Sequence, residues 1–207
     1  MKHENSAQSR LEVIVNEREP GDLLFPSDYL DIGTPESIHM AFSRLAKEKK
    51  LQRMGKGIYF KPKTDPLLGP VHPGLEEIAR KIAEKEKVII RPTGSYALNR
   101  LGLSTQVPMK VVFLTNGNSR SIKVGRGTIT FISTTPKKLS SKNDLVYLAI
   151  QALIELREEG NDPKIIDRLT AILKNAGPVA IREDAKSAPT NVARILYRIA
   201  EKIEKDD

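Results

Sequence analysis

The chain has 207 residues, of which 39% are hydrophobic, so it is long enough for one large domain or two small domains with buried cores. It contains no cysteine and only three distant histidines, His3, His39 and His72, which excludes disulfides, zinc–thiolate sites and cysteine nucleophiles and argues against a metal enzyme. No apolar run approaches the roughly 20 residues that cross a bilayer and no secretory signal is recognisable, whereas the net charge of +8 favours a polyanionic partner in the cytoplasm.

The first predicted element is a short amphipathic helix within residues 6–18, for which Ser6 or Ser9 is available as the N-cap. Its apolar residues follow the spacing of one helical face: Leu11, Ile14 and Val15. A brief second helix is expected within residues 26–33, because proline stands early in it and glycine just after its end. This segment has the form of the first helix of a helix-turn-helix.

The next helix has the clearest start, with Thr34 as N-cap, Pro35 at the first helical position and Glu36 in the first turn. Four apolar residues at positions i, i+3, i+4 and i+7 are expected to form its buried face: Ile38, Ala41, Phe42 and Leu45. The remaining side chains are therefore expected to point away from the core: Ser37, His39, Met40, Ser43, Arg44 and Lys47.

A β-hairpin is predicted to follow this helix. Two strand-like runs, residues 51–54 and 58–62, flank the tip Gly55-Lys56-Gly57, in which both glycines are interpreted as turn residues. The tip lysine, flanked by Arg53 and Lys61, suits contact with the sugar–phosphate backbone or the minor groove of DNA.

Helix, turn and hairpin in this order are typical of a winged helix-turn-helix, whose second helix enters the major groove. The N-terminal half of that helix would face base edges, and the later Lys47 would neutralise phosphates. The candidate DNA-binding residues are Thr34, Ser37, His39, Met40, Ser43, Arg44, Lys47, Arg53, Lys56 and Lys61. The alternative interpretation is an ordinary solvated helix face.

A linker is predicted at residues 63–74, which contain three prolines and two glycines. We place the domain boundary there, between a winged helix-turn-helix domain of residues 1–65 and a C-terminal domain of residues 66–207. His72 has no second ligand nearby in the sequence and is interpreted as a loop residue.

The C-terminal domain is predicted to mix helices with an antiparallel sheet, which makes the whole chain α+β. Its predicted elements are a helix at 75–86, a strand at 88–90, a helix at 94–101, an antiparallel meander of strands at 111–115, 120–124 and 128–133, and several helices from residue 139 onward. Residues 92–95 lack the spacing of a phosphate-binding loop.

A long acid-free run separates Glu86 from Asp144 and contains ten basic residues. It forms either a phosphate- or partner-binding surface or a solvated face whose acids lie on the flanking helices. The candidate residues of this second basic surface are Arg91, Arg100, Arg120, Lys123 and Arg126. The region lacks clustered carboxylates and a Ser-His-Asp set, so we expect no catalytic residues, metal or cofactor.

The segment from Ser43 to Pro62, SRLAKEKKLQRMGKGIYFKP, resembles the end of the winged N-terminal domain of AbiEi-type antitoxins of type IV toxin–antitoxin systems. The matching positions are Leu45, Lys47, Leu51, Arg53, Gly57, Tyr59 and Pro62. A weaker resemblance to the C-terminal domain of that family follows in the Ser-x-Ala segment at Ser95 and in Leu101-Gly102-Leu103, so the similarity covers about residues 10–135.

This resemblance implies a repressor that binds inverted repeats in its own promoter, as a dimer or as cooperating monomers, and counters a nucleotidyltransferase-like toxin, with or without direct contact. A second hypothesis is a winged-helix transcription factor whose C-terminal domain binds a ligand or an unrelated protein. A third is an RNA-binding or nucleotide-handling enzyme that uses the acid-free basic surface. A neighbouring toxin gene would separate the first from the second, and metal-dependent turnover would support the third.

Overall fold

The computed structural model describes residues 6–206, so His3 lies outside the described residues. The chain is of the mixed α+β class, as predicted. Its helices are α1 (Ala7–Glu17), α2 (Pro35–Lys47), α3 (Leu75–Glu86), α4 (Ser95–Arg100), α5 (Pro136–Leu139), α6 (Asp144–Leu156), α7 (Pro163–Leu173), α8 (Pro178–Ala185) and α9 (Thr190–Asp206), with 3₁₀ turns at Pro26–Tyr29 and Arg157–Asn161. Its strands are β1 (Leu23–Leu24), β2 (Gln52–Gly55), β3 (Ile58–Phe60), β4 (Lys63–Asp65), β5 (Gly69–Val71), β6 (Ile90–Thr93), β7 (Lys110–Thr115), β8 (Arg120–Val124) and β9 (Gly127–Ser133).

Packing divides the chain into two compact units. The first contains the described residues up to Ile82 together with Ile122–Thr128, which form the tip of the β8–β9 hairpin. The second contains Ala83–Ser121 and the described residues from Ile129 onward. The first unit is therefore discontinuous in sequence, which the predicted boundary between residues 65 and 66 does not anticipate.

Local capping groups determine where α1 and α2 begin. The Ser6 hydroxyl accepts the Ser9 N–H at 3.2 Å and begins α1, which confirms the predicted cap. The Thr34 hydroxyl accepts the Ser37 N–H at 3.3 Å, and Pro35 occupies the first turn of α2. The predicted brief helix before α2 is shorter than expected: only Pro26–Tyr29 is helical, and turns and bends at residues 30–33 lead to the extended cap residue Thr34.

Phe42 lies at the centre of the first core. Its side chain is 0% exposed, and its ring lies 5.6 Å from that of Tyr29 and 4.9 Å from that of Tyr59, measured between centroids. The four predicted apolar positions of α2 are all buried, as are Leu11 and Val15 of α1. Burial of one such large apolar side chain is worth roughly 1.5–3 kcal/mol, so this packing fixes which face of α2 remains outside.

A small antiparallel sheet covers this core, with the strand order β1-β3-β2 and then the end of β8. Leu24 pairs with Tyr59, and Tyr59 pairs with Arg53 on its other side. The register of β2 and β3 shifts between Arg53 and Gly55, which indicates a bulge at the end of the hairpin. Gly55 then pairs with Val124 of β8.

The predicted linker is wrong, because residues 63–74 contain a second small hairpin. Strands β4 and β5 pair antiparallel, with Lys63 opposite Val71. The Asp65 carboxylate accepts the backbone N–H groups of Leu67 and Leu68 at 2.9 and 3.0 Å, and these hydrogen bonds lower its pKa. Of the prolines and glycines in this segment, Pro66 lies in the hairpin turn, Gly69 and Pro70 belong to β5, and Pro73 and Gly74 lie between β5 and α3.

The second unit has a helical core in which the apolar faces of α4, α6, α7, α8 and α9 meet. A polar cluster lies beside it, where the Asp184 carboxylate accepts the Ser141 hydroxyl at 2.6 Å and the N–H groups of Lys142 and Asn143 at 3.2 and 3.0 Å. The Asn143 side chain in turn caps α6. None of the described helices combines the length and the apolar character that a membrane span requires.

The sheet of the second unit has the order β8-β9-β7-β6. The predicted meander is wrong, since β9 rather than β8 lies next to β7: glycine turns show where strands end but not which strands become neighbours. Strand β6 continues through Pro92 and Thr93, beyond its predicted end at Ile90. Because β6 is an edge strand, the missing N–H of Pro92 costs no sheet hydrogen bond.

Candidate nucleic-acid interface

The exposed face of α2 carries a continuous stripe of four side chains. Glu36, Met40, Ser43 and Lys47 recur at i, i+4, i+7 and i+11, so they lie one above another, and all four are exposed. Met40, with 55% of its surface exposed, is a large apolar side chain outside the core. Glu36 is absent from the predicted contact residues, although the same helical spacing places it at the N-terminal end of this stripe.

The flanks of the stripe differ in their neighbours. On one side, His39 shares a cleft of about 170 Å³ with Pro35 and with Gly57 of the hairpin turn. On the other side, the Arg44 guanidinium donates to the Gln8 side-chain oxygen at 2.7 Å, which holds it toward α1. The hairpin tip therefore lies beside the first turns of α2, as it must if both elements are to contact one ligand.

Two predicted contact residues, Thr34 and Ser37, form the N-terminal cap of α2. The Thr34 hydroxyl accepts the Ser37 N–H, and the Ser37 hydroxyl donates to the Thr34 carbonyl at 2.9 Å. Ser37 is also only partly exposed. These side chains fix the start of α2, so the exposed stripe carries more of the candidate interface than they do.

The hairpin tip confirms one predicted glycine turn and corrects the other. Gly57 has φ +69° in the turn, a backbone conformation that glycine adopts without strain, and Lys56 beside it is exposed. Gly55 lies instead within β2, where an added Cβ would come 2.6 Å from the Lys123 carbonyl oxygen. Glycine is needed there because the backbone of β8 approaches so closely.

Lys61 and Arg53 differ from the expectation that they flank the tip as free cations. The Lys61 ammonium donates to the carbonyls of Asn16 and Arg18 at 2.9 and 2.7 Å, so it neutralises the end of α1. The Arg53 Nε donates to the Gly55 carbonyl at 3.2 Å. Arg53 also lines an open cleft of about 460 Å³, whose other basic residues are Lys49, Lys63 and His72.

The candidate second basic surface does not form one cluster within one unit. Arg91, Arg100 and Arg120 belong to the second unit, whereas Lys123 and Arg126 belong to the first. Arg120 binds the Glu86 carboxylate with N–O distances of 2.6 and 2.5 Å, and its guanidinium lies 4.9 Å from the centroid of the Phe131 ring. Arg100 is exposed at the end of α4.

Arg91 is likewise engaged by the fold of the second unit. It donates to Asp144 at 3.0 Å and to the Ser141 carbonyl at 2.8 Å, and it lies 4.7 Å from the centroid of the Tyr147 ring. Burial raises the pKa of Tyr147 to about 12, which the charge of Arg91 partly opposes. Glu86 and Asp144, the acids that bound the acid-free run, thus supply the partners of Arg120 and Arg91.

Several exposed cations of the first unit have no acidic partner within residues 6–206. They include Lys47 on α2, Lys56 at the hairpin tip, and Lys123 and Arg126 on the β8–β9 tip. No three His, Asp or Glu side chains of the described chain come together as metal ligands. The arrangement is suited to binding an extended anion along the face of α2 and the hairpin tip.

Comparison with known proteins gives a family assignment. No curated protein shows significant similarity to the chain. The model of a family of unknown function, DUF6088, matches residues 10–181 and so spans most of the chain, including α2, the hairpin tip and the acid-free run. The chain therefore belongs to the DUF6088 family.

Proposed function

We propose that the first unit is a winged helix-turn-helix that binds double-stranded DNA, with α2 as the recognition helix and the β2–β3 hairpin as the wing. The element order of helix, strand, helical turn, helix and two strands supports this assignment, as does the strand order β1-β3-β2. The observation that carries the proposal is that an exposed stripe on α2 lies beside a hairpin tip with an unpaired lysine.

The side chains of the stripe have the chemistry of base contact. A glutamate such as Glu36 can accept a hydrogen bond from the cytosine amino group, and an exposed apolar residue such as Met40 can pack on a thymine methyl group. Ser43 lies next along the stripe, and His39 lies between the stripe and the wing. Lys47 and Lys56 lie further along α2 and at the wing tip, where they bind phosphates.

Removing the two phosphate-binding lysines should weaken DNA binding most at low salt. Each lost phosphate contact lowers the slope of log affinity against log salt by about 0.9, so Lys47→Gln with Lys56→Gln should lower it by about 1.8. Between about 50 and 200 mM salt, the affinity deficit of this variant should then shrink by roughly tenfold. The measurement is a fluorescence anisotropy titration with a labelled duplex from the region upstream of the gene.

The matched control removes the same charge from the second unit. Lys164 and Lys186 are exposed residues at the start of α7 and the end of α8, and their change to glutamine should leave the slope unaltered. If both double variants change the slope equally, binding depends on net charge alone and α2 is not the DNA face. If the wild-type chain fails to bind duplex DNA at low salt, the proposal is wrong.

The resemblance to AbiEi-type antitoxins supports a biological role for this activity: the protein represses its own operon and counters a nucleotidyltransferase-like toxin encoded beside it. Expression of that neighbouring gene alone should arrest growth, and coexpression of the full chain should restore it. The Lys47→Gln, Lys56→Gln variant should release a promoter reporter yet still restore growth, because the resemblance assigns neutralisation to the C-terminal domain. Failure of the wild-type chain to restore growth would exclude the antitoxin role while leaving DNA binding intact.

A further inference from the structure

We propose that the tip of the β8–β9 hairpin, residues 122–128, is a second wing that contacts the DNA backbone beside the first. This inference rests on the proposed DNA-binding function and adds a segment far downstream in the sequence to the interface. Lys123 and Arg126 of this tip are, like Lys56, exposed cations of the first unit.

Strand pairing brings the two tips together. Gly55 of β2 pairs antiparallel with Val124 of β8, and the Gly125 N–H donates to the Met54 carbonyl at 2.8 Å. Lys56 follows Gly55 as the first residue of the hairpin turn, and Lys123 precedes Val124 in β8, so each lysine is the chain neighbour of one member of this pair.

The close approach is built into the backbone. An added Cβ on Gly55 would lie 2.6 Å from the Lys123 carbonyl oxygen, so only glycine permits β8 to lie this near. The pairing covers the Gly55 end of the outer edge of β2, where backbone groups would otherwise be unpaired. The hairpin tip is therefore an integral part of the first unit, as its packing also indicates.

The positive charges of the paired tips favour the binding of an anionic partner. Like charges gathered at two paired tips repel one another, and the structure gives Lys56, Lys123 and Arg126 no acid partner among the residues it describes. Duplex DNA carries one charge per about 1.7 Å of its axis, so closely spaced cations each meet a phosphate. Arg120, on the same strand, is excluded from this role because Glu86 already binds it.

The test compares three pairs of neutralising substitutions in the full-length chain. Lys123→Gln with Arg126→Gln should lower the salt slope by about 1.8, as the Lys47, Lys56 pair does, whereas the Lys164, Lys186 pair should not. The probes are the labelled upstream duplex and an unrelated duplex of equal length. The loss should be equal for both probes, since phosphate contacts carry no sequence information.

A second variant keeps every charge but removes the pairing. Gly55→Ala should displace β8 from β2, so hydrogen exchange at the Gly125 amide should accelerate and the salt slope should fall as in the Lys123, Arg126 variant. Gly74→Ala is the control, because nothing lies within 4 Å of its added Cβ, its φ is not in the left-handed region, and the Gly125 amide should stay protected.

The outcomes separate this inference from the proposed function. An unchanged slope in the Lys123, Arg126 variant, together with a lower slope in the Lys47, Lys56 variant, overturns the second wing and leaves the recognition helix in place. Unchanged slopes in both variants overturn both. A lower slope in both variants, with the control pair unaffected, supports contact of both the first and the second wing with the DNA backbone.

Discussion

Replacement of Phe42 by alanine should lower the free energy of unfolding by about 3–5 kcal/mol, because it removes a fully buried ring from the centre of the first core. The rings of Tyr29 and Tyr59 pack against it and cannot both move to fill the cavity, since Tyr59 is held in the sheet. Chemical denaturation followed by circular dichroism measures the change. DNA binding should fall with it, because the same ring fixes the orientation of α2.

The control lies two residues away on the same helix. Met40 is mostly exposed, so Met40→Ala should change the unfolding free energy by less than about 0.5 kcal/mol. It should instead reduce discrimination between the upstream duplex and an unrelated one, since its proposed contact is with bases. Equal destabilisation by the two substitutions would show that the buried and exposed faces of α2 are assigned incorrectly.

Replacement of Asp184 by alanine should destabilise the second unit by about 1.5–3 kcal/mol. Its carboxylate is only 7% exposed and accepts hydrogen bonds from Ser141 and from the N–H groups of Lys142 and Asn143. Alanine leaves these donors without an acceptor, and Asn143 is the residue that caps α6. Thermal and chemical unfolding of the full chain should both report the loss.

Glu183 provides the comparison for this substitution. It is the exposed neighbour of Asp184, and its contact with Lys142 is long, at 3.5 Å. Glu183→Ala should therefore cost less than about 0.5 kcal/mol, as exposed ion pairs usually do. If the two alanine variants unfold at the same denaturant concentration, the buried carboxylate does not hold the start of α6 and the hydrogen-bond cluster contributes little.

The helices of the first unit were predictable because their signals are local. The cap at Thr34, the proline after it and the apolar spacing through Leu45 all lie within one short segment, and together they determine where α2 begins and which face it buries. The start of α1 was predictable from the Ser6 cap in the same way. Residues 63–74 were not predictable, because their proline and glycine content fits a linker and a tight hairpin equally well.

The partners of charged side chains could not be predicted, since they are set by distant parts of the chain. Lys61 reaches back to the end of α1, and Arg120 reaches Glu86 across a sequence separation of 34 residues. The run between Glu86 and Asp144 lacks acids only along the sequence. In the folded chain, Asp144 forms an ion pair with Arg91 and Glu86 forms an ion pair with Arg120. By contrast, the exposure of Glu36 follows from helical spacing alone, because it lies one turn before Met40 on the same face of α2.

The discontinuity of the first unit has a consequence for how the protein is made. A ribosome has synthesised all of α2 and the β2–β3 hairpin before residues 122–128 emerge, so the Gly55 end of the β2 edge stays uncovered until β8 is made. During that interval the edge is available to strands of other nascent chains. For the same reason, a fragment that ends at residue 65 or 82 would contain α2 intact but would retain this open edge permanently.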